Sequence, residues 1–157
     1  MNKSNWKTYA FWIGLSEAVG LLAGLLTRNS VQIYSMMIQR PPLSPPAIVF
    51  PIVWTILYAL MGISAARIRL AEPSAKQRKA SNLFVAQLIV NFFWSLFFFN
   101  LQAFDFALLW LILLWVLVFL LIRATKEVDK LAYLLLIPYL AWLNFALYLN
   151  AGVVVLN

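Results

Sequence analysis

Five long apolar stretches, separated by clusters of charge, constrain the fold of this 157-residue chain more than any motif does. A bilayer core takes about 20 predominantly apolar residues per helix, and lipid offers the backbone no hydrogen-bond partners. Each stretch therefore predicts a membrane-spanning helix, and we expect an all-α integral membrane protein with a single five-helix domain over residues 1–157. The predicted spans are residues 8–26, 46–68, 80–100, 105–123 and 130–154.

The first span contains Glu17, the one acid deep in an apolar stretch. An intramembrane carboxylate is a candidate for proton or cation binding. Because Glu17 lies near the N-terminal end of its span, it can equally reach the interface or pair with a basic residue, and this second interpretation is favoured. The stretch is not expected to be a signal peptide, since the apolar run is long and lacks a small-residue cleavage site before Arg28.

Basic residues gather on one side of the predicted membrane. Ten of them lie at the N-terminus and in the loops after spans two and four, whereas the other side has only Arg28 and Arg40. The positive-inside rule predicts that the N-terminus lies in the cytoplasm and the C-terminus outside. Membrane topology and attraction to anionic lipid explain these basic loops better than nucleic-acid binding does. The ten residues are Lys3, Lys7, Arg67, Arg69, Lys76, Arg78, Lys79, Arg123, Lys126 and Lys130.

Histidine and cysteine are both absent from the sequence. Their absence excludes disulfides, thiolate nucleophiles, zinc fingers, imidazole bases and His-ligated haem. The sequence also has no Gly-rich phosphate loop, no carboxylate pair and no nucleophile with an adjacent base, so a hydrolase, kinase or metalloenzyme is not expected. No metal site and no tightly bound cofactor are predicted.

The segment between the first two spans contains RPPLSPP at residues 40–46. Four prolines in six residues enforce an extended, stiff backbone. This segment is equally well interpreted as a rigid connector or as a lid across the outer mouth of the bundle. Ser44 and Pro45 suit the N-cap and first position of a helix. Pro51 and Pro138 lie inside predicted spans, where we expect kinks.

Polar side chains inside three of the spans coincide with aromatic residues at helical spacing. A polar group in hydrocarbon needs a partner or a cavity. Bundle core or interfacial belt is the ordinary interpretation of such stripes. Their position in the outer half, beside the proline-rich segment, instead predicts a pocket for a flat hydrophobic ligand. The stripes are Trp54, Tyr58, Met61 and Ala65; Gln87, Asn91, Trp94 and Phe98; and Tyr139, Trp142, Ala146 and Asn150.

Three blocks of sequence resemble a known family. The first covers residues 40–62 and contains RPPLSPP and FPIVWTILY. The second, residues 87–98, contains NFFWS, and the third, residues 136–157, contains IPYLAWLNFA and ends in asparagine. In this order, and over nearly the whole chain, the blocks resemble the signature of the translocator protein family. The family is also called the tryptophan-rich sensory protein or peripheral benzodiazepine receptor family.

The resemblance implies a five-helix bundle, often dimeric, whose outer half encloses a pocket capped by the loop between helices one and two. It implies binding of porphyrins such as protoporphyrin IX and of synthetic benzodiazepine-receptor ligands. In that comparison Trp54 and Asn91 look like the polar contacts of the pocket. The candidate ligand-binding residues are Tyr34, Pro41, Pro42, Trp54, Tyr58, Gln87, Asn91, Trp94, Tyr139, Trp142, Ala146 and Asn150.

Four functions remain open at this stage, and the plainest of them is a structural partner for another membrane protein. A membrane receptor or sensor that binds protoporphyrin IX is favoured, and a porphyrin transporter or scavenger is the first alternative. The second alternative is light-dependent porphyrin breakdown, because Trp54 and Trp142 are similar to the tryptophans implicated in that reaction in bacterial relatives. Both are therefore candidate catalytic residues in a photo-oxidative reaction, since indole is readily oxidised.

Two departures from the family pattern affect its partners. The sterol-recognition segment of animal members needs a tyrosine followed by a basic residue, and after Tyr148 this chain has neither Lys nor Arg. Sterol binding is therefore not expected. The third span has no glycine, whereas some relatives use small residues there in their dimer contact. A homodimer formed differently and a monomer both remain open, with porphyrin and the lipid bilayer as the other partners.

Overall fold

The computed structural model describes residues 5–157 as a bundle of five helices, each long and apolar enough to cross a membrane. The predicted class, an all-α five-helix transmembrane bundle, is confirmed. Lys3, counted above among the basic residues, lies outside the described residues. The helices are α1 (Asn5–Met37), α2 (Val49–Leu70), α3 (Ala75–Ser95), α4 (Phe104–Lys126) and α5 (Lys130–Leu156), with a π-helical turn at Leu96–Asn100 after α3.

Helix α1 is longer than the predicted span. The prediction ends the membrane span at residue 26, whereas the helix itself continues to Met37. The charge of Arg28 marks where a helix leaves the hydrocarbon, not where its backbone hydrogen bonds stop. No glycine or proline occurs between Thr27 and Arg40 that would end the helix earlier. The connection to α2 is therefore only residues 38–48, called the α1–α2 loop below.

The predicted helix start at Ser44 and Pro45 is wrong, because α2 begins at Val49. Ser44 Oγ donates a hydrogen bond to the carbonyl of Pro41 at 2.7 Å. The Ser44 amide donates a longer hydrogen bond to the same carbonyl at 3.3 Å. The serine thus closes a turn inside the α1–α2 loop instead of capping α2.

The two prolines within the predicted spans differ in their effect. Pro51 lies in the first turn of α2, where a missing N–H has no helical partner to lose, so the kink expected there has no cause. Pro138 lies in the middle of α5 and removes the hydrogen bond to the carbonyl of Leu134. Only the second proline perturbs its helix.

The α1–α2 loop is fastened to the C-terminal end of α5. The Gln39 amide donates to Asn157 Oδ1 at 3.0 Å, and Asn157 Nδ2 donates to the Gln39 carbonyl at 2.9 Å. Tyr148 Oη donates to the carbonyl of Pro42 at 2.7 Å. The loop therefore has a defined position over this end of the bundle.

Close packing joins α1 to α2. Ser16 and Gly20 belong to a small-residue stripe on α1, and Ser16 is fully buried. Gly20 lies directly against the ring of Tyr58, so that a Cβ atom there would overlap the ring. Gly24, the third member of the stripe, has open space beside it. The stripe thus serves a contact within the chain at its first two positions.

An ion pair ties α2 to the start of α5 at the end of the bundle where basic residues gather. Asp129 accepts hydrogen bonds from Nε and NH2 of Arg67, both at 2.8 Å. It also caps α5 by accepting from the Ala132 amide at 2.7 Å. The hydrogen bond from Arg67 holds the pKa of the Asp129 carboxyl below its ordinary value of 3.8. A second pair, between Lys76 and Glu127, lies in solvent nearby.

Substitution of Asp129 separates its two roles. Asp129→Asn keeps the helix cap but loses the ion pair, and we expect it to lower the free energy of unfolding by about 1 kcal/mol. Asp129→Ala loses both, and we expect about 2 kcal/mol. Because pairing lowers the pKa, the stabilisation is complete above the ordinary value of 3.8 and is lost as the pH falls through the lower folded value. Unfolding in detergent between pH 7 and pH 3 measures both effects.

The matched control is Glu127→Gln, which removes an equal charge from the exposed pair with Lys76. Exposed pairs contribute little, so this variant is expected to unfold nearly as the unmodified chain does. Asp129→Asn with unchanged stability at pH 7 would contradict the role given to the Arg67 pair.

Candidate functional site

A chain of hydrogen bonds crosses the centre of the bundle. Tyr58 Oη on α2 donates to Asn91 Oδ1 on α3 at 2.7 Å, and Asn91 Nδ2 donates to Tyr139 Oη on α5 at 2.5 Å. Tyr139 Oη donates in turn to Gln87 Oε1 at 2.8 Å. All four side chains are buried, with at most 4% of their surface exposed. These four residues are called the polar chain below.

Helical spacing brings the members of the polar chain together. Gln87 and Asn91 are one turn apart on α3, so both amides face the same neighbours. An unpaired amide or hydroxyl in hydrocarbon costs several kcal/mol, on the order of 2–7. Pairing between three helices removes that cost, and Gln87 Nε2 adds a weak contact to Met61 Sδ at 3.8 Å. The polar chain therefore fixes α2, α3 and α5 against one another.

Two tryptophans pack beside the polar chain. The ring of Trp54 lies 5.5 Å from that of Tyr58 and 6.2 Å from that of Tyr139, between centroids. Its other neighbour is Trp142, at 6.4 Å and nearly perpendicular. Both tryptophans are half-buried, and they are called the indole pair below. The indole pair thus stands between the polar chain and the outside of the bundle.

An open apolar groove lies between α2 and α5 at the indole pair. Its volume is about 510 Å³, within the range of small-molecule sites. The indole ring of Trp142 lines the groove. Pro138, where one backbone hydrogen bond of α5 is missing, lines it as well. We call it the α2–α5 groove. Its lining residues are Val53, Ile56, Leu57, Leu60, Pro138, Ala141, Trp142 and Phe145.

The aliphatic walls of this groove are absent from the sequence-based prediction. Residues 53, 56, 57 and 60 of α2 and residues 138, 141, 142 and 145 of α5 do follow steps of three and four. In these spans, however, nearly every position is apolar, so such a stripe does not stand out from its surroundings. Pro138, Trp142 and Phe145 offered the only local signal.

Three candidate residues lie at the end of the bundle near the π-helical turn instead. Trp94 Nε1 donates to Asn150 Oδ1 at 3.2 Å, and Asn150 Nδ2 donates to the carbonyl of Phe104 at 3.0 Å. The ring of Tyr34, on the extended part of α1, packs 5.4 Å from that of Phe98. These contacts connect α1, α3, α4 and α5, and none of the three residues lines the α2–α5 groove.

The remaining candidates belong to the α1–α2 loop and the core. Pro41 is buried against Gly152 of α5, where a Cβ atom would stand 2.5 Å from the proline ring. Pro42 is exposed, and its carbonyl accepts the hydrogen bond from Tyr148 Oη. Ala146 is buried in the main core. The structure thus brings six of the twelve candidates together in the polar chain and the indole pair, and places the other six around them.

Two further polar side chains lie within the spans, Asn144 and Glu17. Asn144 Oδ1 accepts from Trp115 Nε1 at 2.8 Å, which ties α5 to α4. Glu17 is partly buried, and within residues 5–157 the structure shows no salt bridge to it. In that same part of the chain no cluster of acidic side chains is arranged to hold a metal ion.

Fold and site together define a small helical membrane protein, with a polar chain at its centre, aromatic residues beside it and a proline-rich loop fixed over one end. The TspO/MBR family matches residues 12–156. The chain belongs to this family, which confirms the resemblance seen in the sequence.

Relatives from three organisms show the extent of the likeness. The chain is 37% identical to the tryptophan-rich protein TspO of Chlorobaculum tepidum, over 96% of each chain. It is 34% identical to the tryptophan-rich sensory protein of Cereibacter sphaeroides, over 76% of this chain and 74% of the relative. It is 32% identical to the translocator protein of Bos taurus, over 83% and 79% respectively.

Removal of one hydroxyl tests the polar chain. Tyr139→Phe leaves Asn91 Nδ2 and Gln87 Oε1 without their partner, so we expect a loss of about 1–2 kcal/mol in the free energy of unfolding. The matched control is Tyr133→Phe on the same helix, whose ring lies beneath Lys126 outside the polar chain. Unfolding of reconstituted protein measures the difference, and equal stability of the two variants would contradict the structural role of the chain.

Proposed function

We propose that this protein is a membrane receptor or sensor that binds porphyrins, protoporphyrin IX in particular, and similar flat hydrophobic ligands. The α2–α5 groove is the proposed binding surface. The observation that carries the proposal is the placement of the indole pair. Trp142 lines the groove, and Trp54 connects it by ring contact to the buried polar chain.

The chemistry of the groove suits such a ligand. A flat apolar macrocycle gains free energy when its face leaves water or displaces lipid against apolar side chains, and aromatic rings add specific contacts. The polar chain lies one ring behind the groove, since Trp54 separates the two. Contact with the hydroxyls and amides therefore requires Trp54 to move.

The residue types also favour a metal-free ligand. Tight ligation of haem iron commonly uses His or Cys, and the sequence has neither. Protoporphyrin IX without iron needs no such ligand, so it is the proposed ligand, bound as a substrate or signal and not as a resident cofactor.

The names of relatives support sensing and transport alike. The relative from Cereibacter sphaeroides is named a sensory protein and the one from Bos taurus a translocator protein. We place sensing first because the side chains at the bundle centre hydrogen-bond to one another across α2, α3 and α5. A transporter must instead open that centre to pass its cargo.

We further propose a bacterial plasma membrane location with the N-terminus in the cytoplasm. The described basic residues near the ends of α2 and α4 and the starts of α3 and α5 support this orientation. The loop fastened to α5 then faces outward. A homodimer remains a prediction.

Light-dependent porphyrin breakdown is the second candidate function, and the indole pair favours it. A photoexcited porphyrin in the groove takes one electron from an indole, which leaves a porphyrin radical anion and an indole radical cation. The ring contact between Trp142 and Trp54 allows that charge to pass between the two indoles.

Titration of protoporphyrin IX in the dark tests the binding proposal. We expect Trp142→Phe to weaken binding roughly three- to tenfold, because one aromatic contact contributes about 0.5–1.5 kcal/mol. The matched control is Trp6→Phe, an indole-to-phenyl change at an exposed position on α1, and it should bind as the unmodified chain does. Porphyrin absorbance gives the affinity, and unchanged binding by the Trp54→Phe, Trp142→Phe double variant would contradict the site.

Illumination of the same complex tests the second function. We expect a new absorbing product that the unmodified chain forms and that Trp142→Phe forms at least tenfold more slowly, because its phenyl ring is much harder to oxidise than indole. Trp6→Phe should react normally. Equal breakdown of free porphyrin in detergent without protein would assign the reaction to light alone.

A further inference from the structure

One polar side chain lies on the outer surface of the bundle at the middle of a membrane helix. Asn144 is exposed on α5. At 1.5 Å per residue it lies about 20 Å from either end of that helix, which places it near the centre of the bilayer. The hydrocarbon core is about 30 Å thick, so the ester carbonyls of phospholipids lie about 15 Å away. Lipid therefore supplies no polar partner at this depth.

The hydrogen-bonding capacity of Asn144 is only partly used within the chain. Its Oδ1 accepts from Trp115 Nε1 at 2.8 Å. Within residues 5–157 the structure shows no acceptor for Asn144 Nδ2, and a carbonyl oxygen has a second lone pair. An amide left unpaired in hydrocarbon costs several kcal/mol, on the order of 2–7. The side chain thus has both donors and an acceptor for a neighbour outside the chain.

The surroundings of Asn144 hold its amide in place on a smooth apolar surface. The ring of Trp115 stacks on that of Phe119, with centroids 5.4 Å apart and planes within 5°. Ile137 and Ala141 precede Asn144 by two turns and by one turn on the same side of α5, and both are exposed. The small side chain of Ala141 allows another helix to approach closely. These five residues are called the α4–α5 face below.

We propose that the α4–α5 face binds a second copy of this chain, so that the carboxamides of the two Asn144 residues pair. Nδ2 of each copy donates to Oδ1 of the other. Because both copies insert in the membrane in the same direction, a two-fold axis perpendicular to the bilayer relates them. That symmetry brings Asn144 of the two copies to the same depth.

Depth is the reason for choosing a second copy as the occupant. A different membrane protein must carry a polar group at the bilayer centre by coincidence, whereas a second copy carries one by symmetry. A carboxamide is also self-complementary, since it has a donor and an acceptor side by side. The proposal goes beyond porphyrin binding. Ala141 also lines the α2–α5 groove, so the association is measured without porphyrin.

Replacement of the amide by an apolar side chain of similar size tests the pairing. Resonance energy transfer between donor-labelled and acceptor-labelled full-length copies in phosphatidylcholine vesicles, over a range of protein-to-lipid ratios, gives the dimer dissociation constant. We expect Asn144→Leu to raise that constant about tenfold, equivalent to about 1.4 kcal/mol, because both reciprocal hydrogen bonds are lost. An unchanged constant would overturn the proposal. A monomeric unmodified chain at every ratio would assign the face to another partner and overturn it too.

Two control variants separate pairing between copies from other effects. Trp115→Phe removes the same hydrogen bond within the chain that Asn144→Leu removes, but it keeps the amide. Gln32→Leu makes the same kind of change at an exposed position on α1. Each should change the dissociation constant less than threefold. A loss in Trp115→Phe equal to that in Asn144→Leu would reduce the role of Asn144 to packing of α4 on α5 and contradict the pairing.

Cross-linking locates the interface without changing Asn144. The chain has no cysteine, so a single introduced thiol reacts only with its counterpart in another copy. Under oxidation by copper phenanthroline in vesicles, we expect Ala141→Cys to form a disulfide-linked dimer at least fivefold faster than Ile89→Cys, which places a thiol at an exposed position in the middle of α3. Faster cross-linking at residue 89 would place the contact on α3 and overturn the proposal. This measurement decides the question if Asn144→Leu fails to fold, as judged by helix content.

Discussion

The hydrocarbon of a bilayer supplies no hydrogen-bond partners, and the arrangement of the bundle follows from this constraint. Polar side chains from α2, α3 and α5 satisfy one another in the polar chain, which fixes the relative position of three helices. Indole N–H groups obey the same rule. Trp115 donates to Asn144 and Trp110 donates to the carbonyl of Val90, so α4 is joined to α5 and α3 by similar bonds. Apolar packing fills the space between these points.

The helices themselves were predictable because charge marks the boundaries of the membrane. That signal does not give the end of helix α1, which continues past Arg28 to Met37. The capping pattern at Ser44 was wrong, since a serine before a proline fits a helix start and a loop turn equally well. In both cases the sequence indicates where the chain leaves lipid, while the backbone decides separately where the helix ends.

The candidate site was likewise predictable only in part. Helical spacing identified Tyr58, Asn91 and Tyr139 as facing one another, and the structure joins all three. Spacing tells which side chains face inward, but it does not tell whether a cavity or a partner lies opposite. The sequence therefore predicted a pocket lined by amides, whereas the amides pair and the groove opens beside them. The shapes of side chains on two helices together form that groove, so the spacing of residues along one helix does not predict it.

The position of Trp54 links ligand binding to the rest of the bundle. Its ring contacts Trp142 on the groove side and Tyr58 and Tyr139 on the other, so it is the layer between the proposed ligand and the polar chain. A ligand that merely covers the groove contacts α2 and α5 but leaves the hydrogen bonds of the polar chain intact. A ligand that displaces Trp54 reaches those bonds and must break or replace them. Movement of this one side chain is therefore a direct way for occupancy of the groove to reach the contacts that hold three helices together.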